Sequence, residues 1–268
     1  MPIKLIRHLE ELAANAWPAA IVQIVDGWRL RFTWGVTRRA NSVWPNDTAN
    51  RLSVAEKLIL VEDFYDRWGS QARFQVCPAT QPANLNAILA ERGYSSDALT
   101  AVQTAPLSTV LARTEPTPAY TVTVTDTFDE VWFATYCQAE RVTSQTAEAR
   151  RTILQRIGPR TGYALLRVEG HPAAIGLAVV EQGWSGIFSM ATRPEFRRQG
   201  AATAILHGLA RWSQQHQATQ IYLQVMENNA AALALYDRIG FKTLYHYHYR
   251  EAPQDFDPDE PTTLQNRV

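Results

Sequence analysis

The chain has 268 residues, 46% hydrophobic and 19% charged, an ordinary balance for a soluble globular protein that excludes disorder over most of its length. That length exceeds the usual single domain, so two units are expected. Lys plus Arg and Asp plus Glu number 26 each, so no global positive field exists to draw nucleic acid or an anionic membrane, and any anion site must be local.

The opening stretch MPIKLIRHLEELAANAW has the apolar stripe of an amphipathic helix but carries acids, unlike an export signal. No apolar run reaches the roughly 20 residues that span a bilayer. Cys77 and Cys137 are too few for a disulfide framework and suit a reducing compartment, so a cytoplasmic location is expected. An amphipathic helix ending in Phe64-Tyr65-Asp66-Arg67-Trp68 comes next. A strand over Arg73–Cys77, a helix over Asn84–Arg92 and a closing strand over Ala101–Leu107 complete the first half. From Arg113 to Tyr120, RTEPTPAY reads as a linker, with a boundary near residue 115.

The second half opens with a strand over Tyr120–Val124 and helical patterns over Phe128–Glu140 and Thr146–Ile157. Strands over Tyr163–Val168, Ala174–Glu181 and Gly186–Ala191 are divided by the turn signals Glu169-Gly170 and Gln182-Gly183. A helix over Gly200–His216, a strand over Gln220–Val225, a helix over Asn229–Ile239 and a strand over Lys242–Tyr249 follow. This order implies an α/β fold with a mixed sheet covered on both faces. From about Ala252 the chain is rich in proline and acid and reads as a loose tail. The expected units are therefore 1–114, 115–251 and the tail 252–268.

Setting Gly93-Tyr94 against Gly240-Phe241 gives an offset of 147 residues (240 minus 93), and the surrounding helix-strand-helix-strand order then agrees in both halves. The first half lacks two features of the second. Leu89 stands where the second half has Tyr236, and the loop Asn50–Ala55 ahead of its first matching helix has no glycine. Backbone cannot approach a phosphate there in the same way, so catalysis is expected in the second half.

Two segments there carry chemistry. In Met190-Ala191-Thr192-Arg193-Pro194-Glu195-Phe196-Arg197-Arg198-Gln199-Gly200-Ala201-Ala202-Thr203 a buried strand runs into a helix start. Free N–H groups and the positive end of the helix dipole favour a diphosphate, Gly200 permits close approach, and Ala201, Ala202 and Thr203 leave room. Arg197 and Arg198 add charge at the rim, although the same spacing also suits an ordinary strand-to-helix loop. Downstream, Asn229, Ala232 and Tyr236 are spaced by three and four, so they share one helix face. Gly240 is placed as a left-handed cap. On this helix alone, Tyr236 reads first as a core aromatic.

Taken together and in this order, the two segments resemble the GCN5-related N-acetyltransferase superfamily over roughly residues 120 to 250. The family's phosphate-loop pattern is met by Arg197, Gly200 and Ala202, and its later block by Asn229, Ala232, Leu235, Tyr236, Gly240 and Phe241. The stretches Gly27-Trp28-Arg29-Leu30-Arg31 and Arg39-Ala40-Asn41-Ser42-Val43 are similar to a two-domain branch with a degenerate amino-terminal copy. The resemblance implies acetyl transfer from acetyl-CoA to a primary amine of a small molecule or peptide, by direct attack. Backbone around Met190, Ala191 and Thr192 would pair with the pantetheine arm, and Arg197 to Thr203, with Gln199 among them, would hold the pyrophosphate. Asn229, Ala232 and Tyr236 would line the same groove, with Tyr236 as proton donor to the leaving thiolate. Glu181 and Glu227 are candidate bases at strand ends, and Glu140–Thr146 is expected to select the acceptor.

Other features are set aside. His246 and His248 alternate on the last strand without a third ligand, so no metal is expected. Trp28, Trp68 and Trp212 read as core or interface packing, and Arg38-Arg39 as a solvated turn that could also reach a substrate anion. A monomer or homodimer is expected. Competing readings are a non-catalytic acyl-CoA-binding module and a transferase using aminoacyl-tRNA on a duplicated version of the fold. The neutral charge and intact phosphate loop count against the second.

Overall fold

The computed structural model describes residues 2–115 and 120–253. Residues 116–119 of the expected linker and 254–268 of the expected tail lie outside the described residues. Helix α1 (Ile3–Ala16) buries Ile6, Leu9, Leu12, Ala13 and Ala16, the helical spacing seen in the sequence. Strands β1 (Ile21–Val25) and β2 (Trp28–Phe32) form a hairpin closed by Asp26 and Gly27. Both turn residues have positive φ, 45° and 93°, as a tight hairpin turn requires. A Cβ on Gly27 would come within 2.7 Å of the Thr48 backbone. Short β3 (Val43–Trp44), α2 (Val54–Asp66), β4 (Arg73–Val76), α3 (Leu85–Glu91), β5 (Ser95–Pro106) and α4 (Leu107–Arg113) complete the first half.

The second half contains β6 (Thr121–Thr125), α5 (Glu130–Ala139), α6 (Ser144–Gln155), β7 (Arg160–Val168), β8 (His171–Glu181) and β9 (Trp184–Thr192). After a single 3-10 turn at Pro194–Phe196 come α7 (Ala201–Gln215), β10 (Gln220–Met226), α8 (Ala230–Ile239) and β11 (Lys242–Glu251). The repeat is visible in element starts. Subtracting 147 from Ala201, Gln220 and Lys242 gives 54, 73 and 95, the first residues of α2, β4 and β5.

All strands among the described residues join one 11-stranded sheet in the order β1-β2-β3-β4-β11-β5-β10-β9-β8-β7-β6. The last strand of each half is exchanged: β5 lies between β11 and β10, and β11 between β4 and β5. The fold is thus the mixed α/β sheet that the sequence implied. Strand β5 begins at Ser95 rather than at the expected Ala101, because Ser95–Thr104 pairs along β11. Helix α4, absent from the sequence reading, is held by buried Leu107 and Val110. Trp28 and Trp212 are buried, but Trp68 is 47% exposed and stacks on Phe32 instead of entering the core.

Alternation along the central strands sorts side chains onto two faces. On one face, α1 and α5 cover Tyr222, Phe188, Tyr245, Tyr247 and Tyr249. On the other, α7 and α8 pack over Ile221, Leu223, Val225 and Ile187. Helices α2 and α3 close a third core on β2–β4.

Candidate active site

Strands β9 and β10 run parallel and pair only from Gln220↔Trp184 to Leu223↔Ile187. Beyond that point β9 remains paired with β8 and β10 with β5, so the two strands part and leave a wedge between Phe188–Thr192 and Gln224–Met226. A β-bulge sets the divergence: Ser189 and Met190 together oppose Gly176, and Ser189 has a positive φ of 49°. The wedge edge of β9 therefore presents backbone N–H and C=O groups that no strand satisfies.

The loop after β9 shapes one end of the wedge. Arg197 donates from Nε to the Thr192 carbonyl at 3.1 Å, and Gln199 from Nε2 to the Glu195 carbonyl at 3.0 Å. The Tyr120 hydroxyl donates to the Gln199 carbonyl. Arg198, with φ 60°, is exposed. Gly200, with φ 87°, caps α7 without any side-chain hydrogen bond. Ala204 N–H already bonds the Gly200 carbonyl, so the N–H groups of Ala201, Ala202 and Thr203 are the free ones at the helix start. Ala201 is buried and Ala202 and Thr203 are half-buried, so no bulky side chain covers them. This end fits a diphosphate.

The first-half counterpart is closed. Ser53 stands 147 residues before Gly200 and forms a capping box with Glu56 at the start of α2. Its hydroxyl accepts from Glu56 N–H at 3.3 Å and Glu56 accepts from Ser53 N–H at 2.8 Å. That helix start has therefore supplied its own anion. In the same half, Gln81 N–H, five residues past β4, bonds the carbonyl of Pro45, the residue after β3, at 2.6 Å, bridging the segments that follow the two strands.

On α8, Asn229 is the N-cap, its side chain accepting from Ala232 N–H at 3.2 Å. Gly240, with φ 104°, ends the helix. Tyr236 packs edge-on against Phe241 at 5.6 Å and belongs to the same apolar layer as Met190, Phe196 and Ala232, so both segments singled out in the sequence line one side of the sheet. Its hydroxyl has no hydrogen bond among the described residues, and burial pushes its pKa up to about 12.

The two carboxylates stand at different places. Glu181 pairs with Trp184 at the far hairpin, four residues or roughly 13 Å along β9 from Phe188, and accepts from Asn15. Glu227 follows β10 and meets His246 Nε2 at 2.6 Å, with His246 on the side of β11 away from the tyrosines. His248 bonds Asn86 at 3.0 Å. Among the described residues no three His, Cys, Asp or Glu side chains are grouped as metal ligands.

Sequence reasoning passed over Gln224, Phe188 and Trp17. Gln224 lies on the same face as Tyr222 and accepts from Tyr247 Oη and Arg39 Nη1, both at 3.3 Å. Its signal was present as a polar residue breaking the apolar run of a buried strand, QIYLQVM. Trp17 stacks 6.5 Å from Phe188 and bonds Thr37 through Nε1 at 3.0 Å. Its place depends on a contact between the halves that no local pattern encodes.

A family model described as "Probable histone acetyltransferase Rv0428c C-terminal" matches residues 4–251. The chain is 30% identical over 245 residues to "Uncharacterized N-acetyltransferase YobR" of Bacillus subtilis, covering 91% of this chain and 98% of that one. Its fold is similar to a GCN5-related N-acetyltransferase from Kribbella flavida, with a TM-score of 0.69 at 15% identity over 94% of this chain and 96% of that one. A "Tandem GNAT protein from the clavulanic acid biosynthesis pathway" has a TM-score of 0.65 at 12% identity, over 92% and 89%.

Proposed function

The chain belongs to the GCN5-related N-acetyltransferase superfamily, in the Rv0428c and YobR-like group, and we propose that it moves acetyl from acetyl-CoA to a primary amine of a small molecule or peptide by direct attack. The observation that carries this reading is the coincidence of an uncapped helix start at Gly200 with an open wedge beside it, both closed in the first half. Residues 1–114 and 115–251 are then the two copies, of which the second is active.

Acetyl-CoA supplies the thioester. The N–H groups of Ala201, Ala202 and Thr203 hold its pyrophosphate, with Arg198 free to add charge and Arg197 bracing the loop. The free edge of β9 around the bulge at Met190 pairs with the extended arm and turns N–H groups toward the carbonyl oxygen. The amine comes from the side of the sheet that carries Phe188 and Gln224, while Tyr236 stands on the α8 side. Nucleophile and proton donor therefore act from opposite faces.

As nitrogen bonds the carbonyl carbon, the carbon–sulfur bond breaks and the sulfur takes the Tyr236 hydroxyl proton. The amine proton leaves to solvent and the phenol is restored. Gln224 cannot accept a proton, Glu181 sits on that face only at the far hairpin where Asn15 holds it, and Glu227 bonds His246 on the opposite face, so the acceptor enters as the free amine. The pH dependence of kcat/KM should follow the acceptor's own pKa.

Thiol release across a panel of primary amines tests the proposal. Turnover with at least one acceptor supports it. Tight acetyl-CoA binding without thiol release from any of them would favour the non-catalytic module.

A further inference from the structure

The loop between β2 and β3 carries two adjacent arginines with opposite fates. Arg38 is neutralised by Asp97 and by Glu251, the latter at 3.0 Å. Arg39 reaches instead into the second half, its guanidinium carbon 5.0 Å from the Trp17 ring centre and 5.7 Å from that of Phe188. Its one hydrogen bond among the described residues goes to the neutral amide of Gln224, at 3.3 Å. A guanidinium has five N–H donors, so most of its capacity is unspent.

A second guanidinium also has unspent donors. Arg150 of α6 donates to the Tyr136 hydroxyl, lies 5.7 Å over that ring, and has a buried Nε without a partner. Tyr136 feels the charge of both Arg150 and Arg39. Among the described residues neither arginine forms an ion pair, whereas Lys57 pairs with Asp26 and Arg73 with Glu251. The acids facing the cluster do not neutralise it. Glu10 is sealed under α1 and accepts from Tyr245, Trp44 and Gln75. Glu181 is held by Asn15, and Glu140 acts on Tyr136 from the end of α5.

We propose that Arg39 is the seat for a carboxylate carried by the acceptor amine, so that acceptors are amino acids or similar amine-carboxylates. The inference rests on the wedge being the acetyl-transfer site. Arg39 touches both lips of that wedge, Phe188 on β9 and Gln224 on β10, so an anion held on its fork leaves an amine a few bonds away pointing between the strands. A carboxylate matches the guanidinium fork two bonds to two, and a flat aromatic floor of Trp17 and Phe188 excludes water from one side. The copy that lost its own wedge would thus supply substrate selection to the copy that kept one.

Matched acceptor pairs test this: L-leucine against isopentylamine, L-phenylalanine against phenethylamine, with phosphoethanolamine as the phosphate arm. Thiol release at saturating acetyl-CoA should give a kcat/KM, referred to each acceptor's free-amine concentration at the assay pH, at least about tenfold higher for each carboxylate than for its partner, since a site built to bond a polar group rejects an analogue lacking it. In R39M that ratio should fall toward one, chiefly through KM, and R39K, which keeps the charge without the fork, should lie between. Melting temperature and acetyl-CoA Kd report an intact fold for each variant. Where no acceptor turns over, calorimetry of N-acetyl-L-leucine against N-acetylisopentylamine on the CoA-bound enzyme replaces kinetics. Wild-type preference for the carboxylate, lost in R39M, sustains the proposal. Equal handling of both members, preference for the phosphate arm, no binding of either product, or a uniform loss in R39M overturns it. Failure of acetyl-CoA itself to bind at millimolar concentration would instead defeat the acetyltransferase reading.

Discussion

Three side chains carry most of the testable chemistry at the scale of single residues. Tyr236 remains protonated across the working range because burial raises its pKa to about 12, so no alkaline fall in turnover should arise from it below about pH 10. Y236F should lower kcat by about 100-fold while acetyl-CoA Kd changes less than about twofold, read by thiol release and calorimetry. Undiminished kcat would remove the proton-donor role. Asp26 and Lys57 form a buried pair at 2.7 Å beneath the first hairpin turn. The Lys57 hydrogen bond leads in lowering the Asp26 pKa to about 2. Because the folded pKa lies below the ordinary carboxylate value of about 3.9, the pair stabilises the fold above that pH, and the contribution disappears as pH falls toward 2. Urea midpoints of wild type and D26N should therefore differ by a constant amount above about pH 5 and converge on acidification. A gap that persists at pH 2 would contradict this account.

At the scale of elements, most of the second half was legible in the sequence, because its strands and helices keep clean periods of two and 3.6 and are divided by Glu169-Gly170, Gln182-Gly183 and Gly240. The start of α7 was legible for the same reason. Helix α4 and the first six residues of β5 were not, since Ser95–Thr100 is mostly polar and becomes a strand only by pairing with β11. The wedge was invisible too: where β9 stops pairing with β10 depends on the bulge at Ser189, and no residue type announces a bulge there. Gly200 is where element and chemistry coincide. A side chain at its φ of 87° costs roughly 1–2 kcal/mol and covers the free N–H groups of α7. G200V should thus lower the melting temperature modestly and weaken acetyl-CoA binding by about tenfold or more. Unchanged affinity would mean that the pyrophosphate lies elsewhere.

For the whole molecule, the exchanged strands β5 and β11 make the two copies inseparable, since each half's last strand completes the other's sheet. A chain cut between residues 115 and 120 should stay associated through purification, and residues 1–115 expressed alone should aggregate through the exposed edges of β4 and β5. Two stable, separately folded fragments would refute that coupling. The same architecture gives the duplication an outcome that sequence alone suggested only through missing residues: one copy has closed its helix start with Ser53 and Glu56 and bridged the segments after β3 and β4 through Gln81 and Pro45, and the other has kept its helix start and wedge open. Calorimetric stoichiometry of acetyl-CoA tests this most directly. One site per chain, weakened about tenfold or more in G200V, is the predicted result. Two sites per chain, or one site indifferent to Gly200, would contradict it.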